Sequence, residues 1–184
     1  MKSTSAIVEK AHLQYAGIPV IVAALLILRA GRLDVYTLLS DGLILAFGYI
    51  AAIIDLKAKR IPNGLLIVML SAWAALAVFR VFFDTDAAVE MLKGAGYGAA
   101  AGGGLFMLVY IISRKGLGGG DVKFMACTGL YLGFSGTITV MLCGCVLAAL
   151  TGLTLIILKK IGRKDTIPLV PFLYIGILPV CFIA

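Results

Sequence analysis

Long apolar segments follow one another along almost the whole chain, and they limit its possible folds more than any other feature. A bilayer core about 30 Å thick is crossed by roughly 20 apolar residues in a helix. We predict seven helical segments, over residues 11–28, 35–54, 65–83, 91–113, 122–134, 137–158 and 167–183. The fifth is the shortest, at about 20 Å as a helix. We therefore expect an all-α polytopic membrane protein with about six to seven transmembrane helices, forming a single domain over residues 1–184.

The composition excludes several other classes of protein. Hydrophobic residues make up 62% of the chain and charged residues 14%, and a soluble domain of this size has too much surface to hide so many apolar side chains. The four cysteines lie inside apolar runs, which favours small packing residues over a disulfide framework. With a single histidine, neither a transition-metal site nor a cofactor is expected.

The basic residues predict the orientation in the membrane. The net charge is +7, and we attribute it to the excess of Lys and Arg in cytoplasmic loops rather than to nucleic-acid binding. With the N-terminus in the cytoplasm, 12 of the 16 basic residues fall inside, and those outside are Arg29, Arg32, Arg80 and Lys93. Residues 55–62 and 116–121 then lie on the same, cytoplasmic, face.

Glycines recur every fourth residue in the fourth segment, at Gly94, Gly98 and Gly102. Small residues at this spacing allow two helices to approach closely in lipid. We predict that they pack against a neighbouring helix.

Six of the nine carboxylates are predicted to lie in loops or helix flanks, where water solvates them. The three that remain as candidate functional residues are Asp41, Asp55 and Asp121. Asp55 ends the second segment, where a carboxylate opposes the helix dipole. It is either a functional residue or a helix-end residue paired with nearby Lys or Arg. The chain breaks at Pro62, and Asn63 could cap the next helix.

Asp121 directly follows Gly118-Gly119-Gly120, and glycines allow a close approach of the backbone to a substrate. It could also be the N-cap of the next helix. If Asp55 and Asp121 meet, they cannot both be ionised at low cost. One would take a proton from water and the other would protonate a scissile carbonyl oxygen. Asp41 is about 21 Å from Asp55 along one helix, too far for such a pair, and we interpret it as a helix start or a bundle contact.

Ser135 is the competing nucleophile, because residues 133–136 fit the Gly-x-Ser-Gly pattern of rhomboid-type serine proteases. Such a serine needs a histidine base, and the one available, His12, is predicted on the opposite side of the membrane. We therefore interpret Ser135-Gly136 as a tight turn.

Four ordered elements make the chain resemble the type IV prepilin peptidases, which are GxGD-type aspartic proteases of the cytoplasmic membrane. They are Asp55 with Ile61-Pro62-Asn63, Gly118-Gly119-Gly120-Asp121 with Lys123, Gly129 with Gly133, and Pro168 with Pro171-Phe172 and Gly176. The resemblance covers residues 44–178.

The resemblance implies that Asp55 and Asp121 are the catalytic pair of a peptidase that cleaves prepilins or pseudopilins after a short basic leader. It places Pro62 and Asn63 in the first motif and Gly118 to Gly120 against the scissile segment, with Lys123 assisting electrostatically. It also implies a multi-pass protein of the inner membrane, with a cytoplasmic active site and pilus or secretion components as partners.

The chain departs from the larger members of that family. They carry a cytoplasmic insertion with paired Cys-x-x-Cys motifs and also N-methylate the new terminus, and this sequence contains no such motif. We expect cleavage without methylation. Ile54, not Tyr, precedes Asp55, which argues against the presenilin branch. The alternatives are a small ion-coupled transporter that uses the intramembrane aspartates and an inactive scaffold of a secretion machine.

Overall fold

A computed structural model describes Ala24 and residues 34–113, 117–159 and 167–183. Within these ranges the protein is all-α, as predicted. The helices are α1 (Val35–Ala58), α2 (Asn63–Phe83), α3 (Thr85–Ile112), α4 (Gly119–Ile157) and α5 (Val170–Ile183).

The helices are those of a membrane protein. α1 to α4 are each long and apolar enough to cross a bilayer, and α5 is a shorter apolar helix. Large apolar side chains are exposed on their outer faces, including Phe82 at 84% and Ile112 at 72%, as expected where lipid replaces water. Apart from Ala24, the first predicted segment, residues 11–28, lies outside the described residues. The total of six to seven spans therefore stays a prediction.

A sharp bend divides α4 into two arms. Gly133 has φ 64° and ψ −171°, a conformation that only glycine adopts without strain. The predicted fifth and sixth segments are thus the two arms, residues 119–132 and 134–157. The predicted tight turn at Ser135-Gly136 is wrong, because both residues are helical and the chain turns at Gly133 instead.

Contacts with α5 show that the second arm returns toward the start of the first. Gly144 lies against Leu173 and Gly176 lies against Val140, so α5 runs antiparallel to the second arm. The beginning of α5 contacts Asp55 at the end of α1. The arms of α4 are therefore antiparallel, and both of its ends lie near Asp55.

Glycines allow α3 to cross the first arm of α4 at backbone contact. A methyl group at Gly98 would overlap the carbonyl oxygen of Gly129, and one at Gly102 would lie 2.5 Å from the carbonyl oxygen of Met125. The packing role predicted for Gly98 and Gly102 is confirmed. At Gly94 the contact is looser: its carbonyl oxygen lies 3.7 Å from where a Cβ on Gly133 would be, and nothing lies within 4 Å of its own Cβ position.

The bundle has two chemically different ends. One, the aspartate end, holds Asp55 and the starts of α2, α4 and α5. The other, the far end, holds the ion pair between Arg80 and Asp34 and the side-chain cap that Asp84 gives to α3. The candidate site lies at the aspartate end.

Candidate active site

Asp55 lies in the last turn of α1 and is only 4% exposed. Its Oδ2 accepts a hydrogen bond from the backbone N–H of Val170 at 3.1 Å, and the backbone of Leu169 is a second donor. A buried carboxylate needs such donors because water no longer solvates it. The start of α5 therefore holds this side chain.

Asp121 is the third residue of α4 and closes a reciprocal cap with Gly118. The Gly118 N–H donates to Asp121 Oδ2 at 3.2 Å, and the Asp121 N–H donates to the Gly118 carbonyl at 3.1 Å. The prediction that Asp121 is the N-cap is wrong by three residues, since Gly118 holds that position. The cap ties the carboxylate to the glycine segment.

The two aspartates share one small cavity. It has a volume of about 160 Å³, enough for several water molecules, and it is lined by Asp55, Lys59, Arg60, Ile61, Gly118, Gly119, Gly120 and Asp121. The carboxylates are close enough to interact electrostatically. The structure thus brings together two acids that lie 66 positions apart in the sequence.

The three glycines of the motif have different surroundings. A methyl group at Gly118 would lie 2.9 Å from Asp121 Oδ2, and one at Gly120 would lie 3.3 Å from the Cβ of Ile61. At Gly119 the nearest atom, in the Tyr110 ring, is 4.0 Å away. Gly118 and Gly120 therefore pack against the protein's own site residues.

A hydrogen bond joins the two motifs. The Lys123 ammonium group donates to Asn63 Oδ1 at 3.1 Å. The prediction that Asn63 caps α2 is wrong, because Pro62 is the N-cap and Asn63 is the first helical residue. The Asn63 side chain instead connects the start of α2 to the first turn of α4.

An apolar groove of about 560 Å³ begins at this hydrogen bond. It is lined by Asn63, Leu66, Ile67, Leu70, Ala99, Lys123, Ala126, Cys127 and Leu130. From Asn63 to Leu70 it extends about 10 Å along α2. The groove therefore runs from the aspartate end into the apolar depth of the bundle, and its wall at Ile67 is 65% exposed.

The other candidate residues lie away from the cavity. Asp41 is buried within α1, and Ser135 is exposed beside the bend of α4 at the opposite end from Asp121. His12 lies outside the described residues. Among the residues that the structure describes, no group of His, Cys, Asp or Glu could hold a metal ion.

Sequence reasoning missed the donors at Leu169 and Val170. Their role depends on backbone N–H groups, which every non-proline residue carries, so no residue type marks them. The available signal was Pro171, since proline is tolerated in the first turn of a helix and disfavoured in its interior, which indicates that α5 begins here.

Comparison with known proteins adds an independent finding. Residues 42–153 match the type IV leader peptidase family. The chain is 30% identical over 128 residues to the prepilin leader peptidase/N-methyltransferase of Bacillus subtilis, covering 69% of this chain and 48% of that protein. It is 25% identical over 171 residues to the Escherichia coli protein of the same name, covering 89% of this chain and 71% of that protein. The match thus spans about half the length of the Bacillus relative. No solved structure matches the chain significantly.

Proposed function

The chain belongs to the type IV leader peptidase family, and from this premise we propose that it is a membrane aspartic endopeptidase that removes the leader of prepilin-like precursors. The observation that carries the proposal is the cavity that Asp55 and Asp121 share with the glycine segment. Two carboxyl groups and room for water are the components of metal-independent peptide hydrolysis.

The reaction follows from these two groups. One carboxylate takes a proton from water as the water oxygen bonds to the scissile carbonyl carbon, and the other carboxyl protonates the carbonyl oxygen. The C–N bond then breaks as the first carboxyl gives the water proton to the leaving amine and the second recovers a proton from a hydroxyl of the tetrahedral intermediate, which becomes the new carboxyl group of the leader.

Charge supports a cytoplasmic location for the aspartate end. Among the described residues, Lys57, Lys59, Arg60, Lys123 and Lys159 lie toward this end, and Arg80 and Lys93 lie toward the far end. The far end instead carries Asp34, Asp84, Asp86 and Glu90. Because basic residues are enriched on the cytoplasmic side, the site opens to the cytoplasm, and the protein resides in the inner membrane.

The apolar groove supports a substrate with an apolar helix beside its cleavage point. It starts at Lys123, two residues from Asp121, and continues into the membrane-spanning region. A prepilin or pseudopilin anchored by such a helix would place its scissile bond at the aspartate end. The other components of a pilus or secretion assembly are further expected partners.

Both curated relatives are named as N-methyltransferases as well as peptidases. The present sequence has no Cys-x-x-Cys pair, and we extend the proposal to cleavage without methylation. Incubation of the purified protein with a prepilin and a methyl donor tests this, since mass spectrometry distinguishes a free from a methylated new N-terminus.

Co-expression with a prepilin tests the proposed function directly. The wild-type protein shortens the prepilin by its leader, whereas Asp55→Asn and Asp121→Asn, each present in the membrane at normal level, leave it uncut. Asp41→Asn is the matched control, because it makes the same change in α1 about 21 Å from Asp55, and it retains cleavage. Full cleavage by either of the first two variants contradicts the dyad. An uncut prepilin with collapse of an ion gradient in vesicles would identify a transporter.

A further inference from the structure

We infer that the first turn of α5 positions Asp55 for catalysis, through the backbone N–H that Val170 donates to Oδ2 of its carboxylate. This inference rests on the proposed function, in which Asp55 is one of the two reacting carboxyl groups. Val170 is thereby a positioning residue, acting through Asp55 without touching the substrate.

The start of α5 has no cap of its own. The Leu173 N–H donates to the Leu169 carbonyl, which makes Leu169 the N-cap and Val170 the first helical residue. Residues 167–170 are Ile, Pro, Leu and Val, and none has a side chain that accepts a hydrogen bond. The N–H groups at the start of the helix therefore need an acceptor from elsewhere, and Asp55 supplies it.

The contact also stabilises the charged form of the Asp55 carboxylate. A carboxylate at the C-terminal end of α1 faces the negative end of its own helix dipole. The positive end of α5 opposes that effect, because the N-terminal N–H groups of a helix bind anions. With Oδ2 held by Val170 and the side chain almost fully buried, the carboxylate is fixed in one orientation in the cavity that it shares with Asp121.

Packing makes this arrangement rigid. Val170 and Leu173 are completely buried, and Leu173 lies directly against Gly144 in the second arm of α4. On the other side, Tyr174 contacts Gly48 of α1. The start of α5 is thus held between α1 and α4, so that a shift of α5 moves the donor relative to Asp55.

The test removes the Val170 N–H while leaving the helix intact. Proline is accepted at the first helical position, where it lacks only this N–H, so Val170→Pro is the first variant. Val170→Ala is the matched control, because it also loses side-chain bulk but keeps the N–H. A second variant replaces Val170 with its α-hydroxy acid by nonsense suppression, which exchanges the N–H for an oxygen and keeps the side chain.

Leader removal is measured with full-length enzyme in detergent, normalised to folded protein. Losing one hydrogen bond to a charged group corresponds to a fall in kcat of about 10- to 100-fold, and we expect this in both N–H deletions with KM changed less than about twofold. Val170→Ala should retain kcat within about threefold. If Val170→Pro does not reach the membrane, the α-hydroxy acid variant decides the question.

Three outcomes would overturn the inference. The first is a folded variant without the Val170 N–H that keeps the wild-type kcat. The second is such a variant that loses thermal stability but no kcat. The third is a loss of kcat in Val170→Ala as large as in the variants without the N–H. The proposed function fails separately, if Asp55→Asn still cleaves. An inactive Asp55→Asn together with a fully active α-hydroxy acid variant refutes the positioning role and leaves the proposed function standing.

Discussion

Replacing Gly118 by Ala should move the Asp121 carboxylate without unfolding the protein. The added methyl group would lie 2.9 Å from Oδ2 of Asp121, whereas ordinary contact begins at 3.4 Å. The carboxylate must therefore retreat by about 0.5 Å, the difference between these two distances. Gly118 has φ −73° and ψ 135°, which any residue adopts, so that backbone strain does not contribute.

The expected loss of activity follows from this displacement. Since a misplacement of about 1 Å at a reacting group can cost about 100-fold in rate, a shift of about half that size predicts a fall of about tenfold. In activation free energy, tenfold corresponds to about 1.4 kcal/mol. The effect on stability is smaller, because Ala in place of Gly at an N-cap costs at most about 1 kcal/mol.

The adjacent Gly119→Ala is the control for this prediction. It makes the same chemical change one residue later, where the new methyl group is 4.0 Å from its nearest neighbour, Tyr110. Within a helix, Ala in place of Gly is favourable by about 0.5–1 kcal/mol. The assay is the initial rate of leader removal from a purified prepilin in detergent, followed by mass spectrometry and expressed as kcat/KM.

Gly119→Ala should lose clearly less activity than Gly118→Ala, which falls about tenfold. Equal rates for the two variants would refute the argument, since the carboxylate position would then have no bearing on catalysis. An equal fall in both would point instead to a general requirement for glycine in this segment.

The other predictions concern the helix crossing, the link between the motifs and the groove. Gly98→Ala should lower the stability of the protein in detergent by about 1–3 kcal/mol through overpacking. Gly94→Ala should raise it by about 0.5–1 kcal/mol. A change of melting temperature in the same direction for both variants would contradict this prediction. Lys123→Met and Asn63→Ala should each reduce cleavage by less than about tenfold, as expected for one exposed hydrogen bond. The double variant should lose no more activity than the single variant with the larger loss. Additive losses in kcat/KM would show that the two side chains act separately. Leu70→Trp should fill the apolar groove. It should therefore raise KM for a full-length prepilin more than KM for a leader peptide that lacks the apolar helix. Equal changes in the two KM values would exclude the groove as the docking site of that helix.

The sequence predicted the helices where apolar runs met polar breaks. The predicted segment 65–83 ends at the same residue as α2, because Asp84 follows it and caps α3. The segment 35–54 became α1, which continues past Asp55 to Ala58. Here the carboxylate does not end the helix, since it is satisfied by donors from α5 that hydropathy cannot reveal.

The errors share a cause: local patterns do not show which partner a polar group or a glycine finds in three dimensions. Asn63 has the residue type of a cap, yet its side chain binds Lys123 from another helix. In α4 the bend lies at Gly133 rather than at Ser135-Gly136, because a left-handed φ is a property of the folded backbone. The motif residues themselves were identifiable, but the shared cavity of Asp55 and Asp121 required the folded chain.

The contact between Asp55 and Val170 spans 115 residues of chain, and this separation has a consequence for synthesis. At about 5–20 residues per second, the start of α5 leaves the ribosome about 6–23 seconds after Asp55 does. Asp121 is made 66 residues after Asp55, so both aspartates are present for the last part of that interval while the donor at Val170 is not. In the proposed mechanism, Asp55 is therefore oriented only when the last described helix docks.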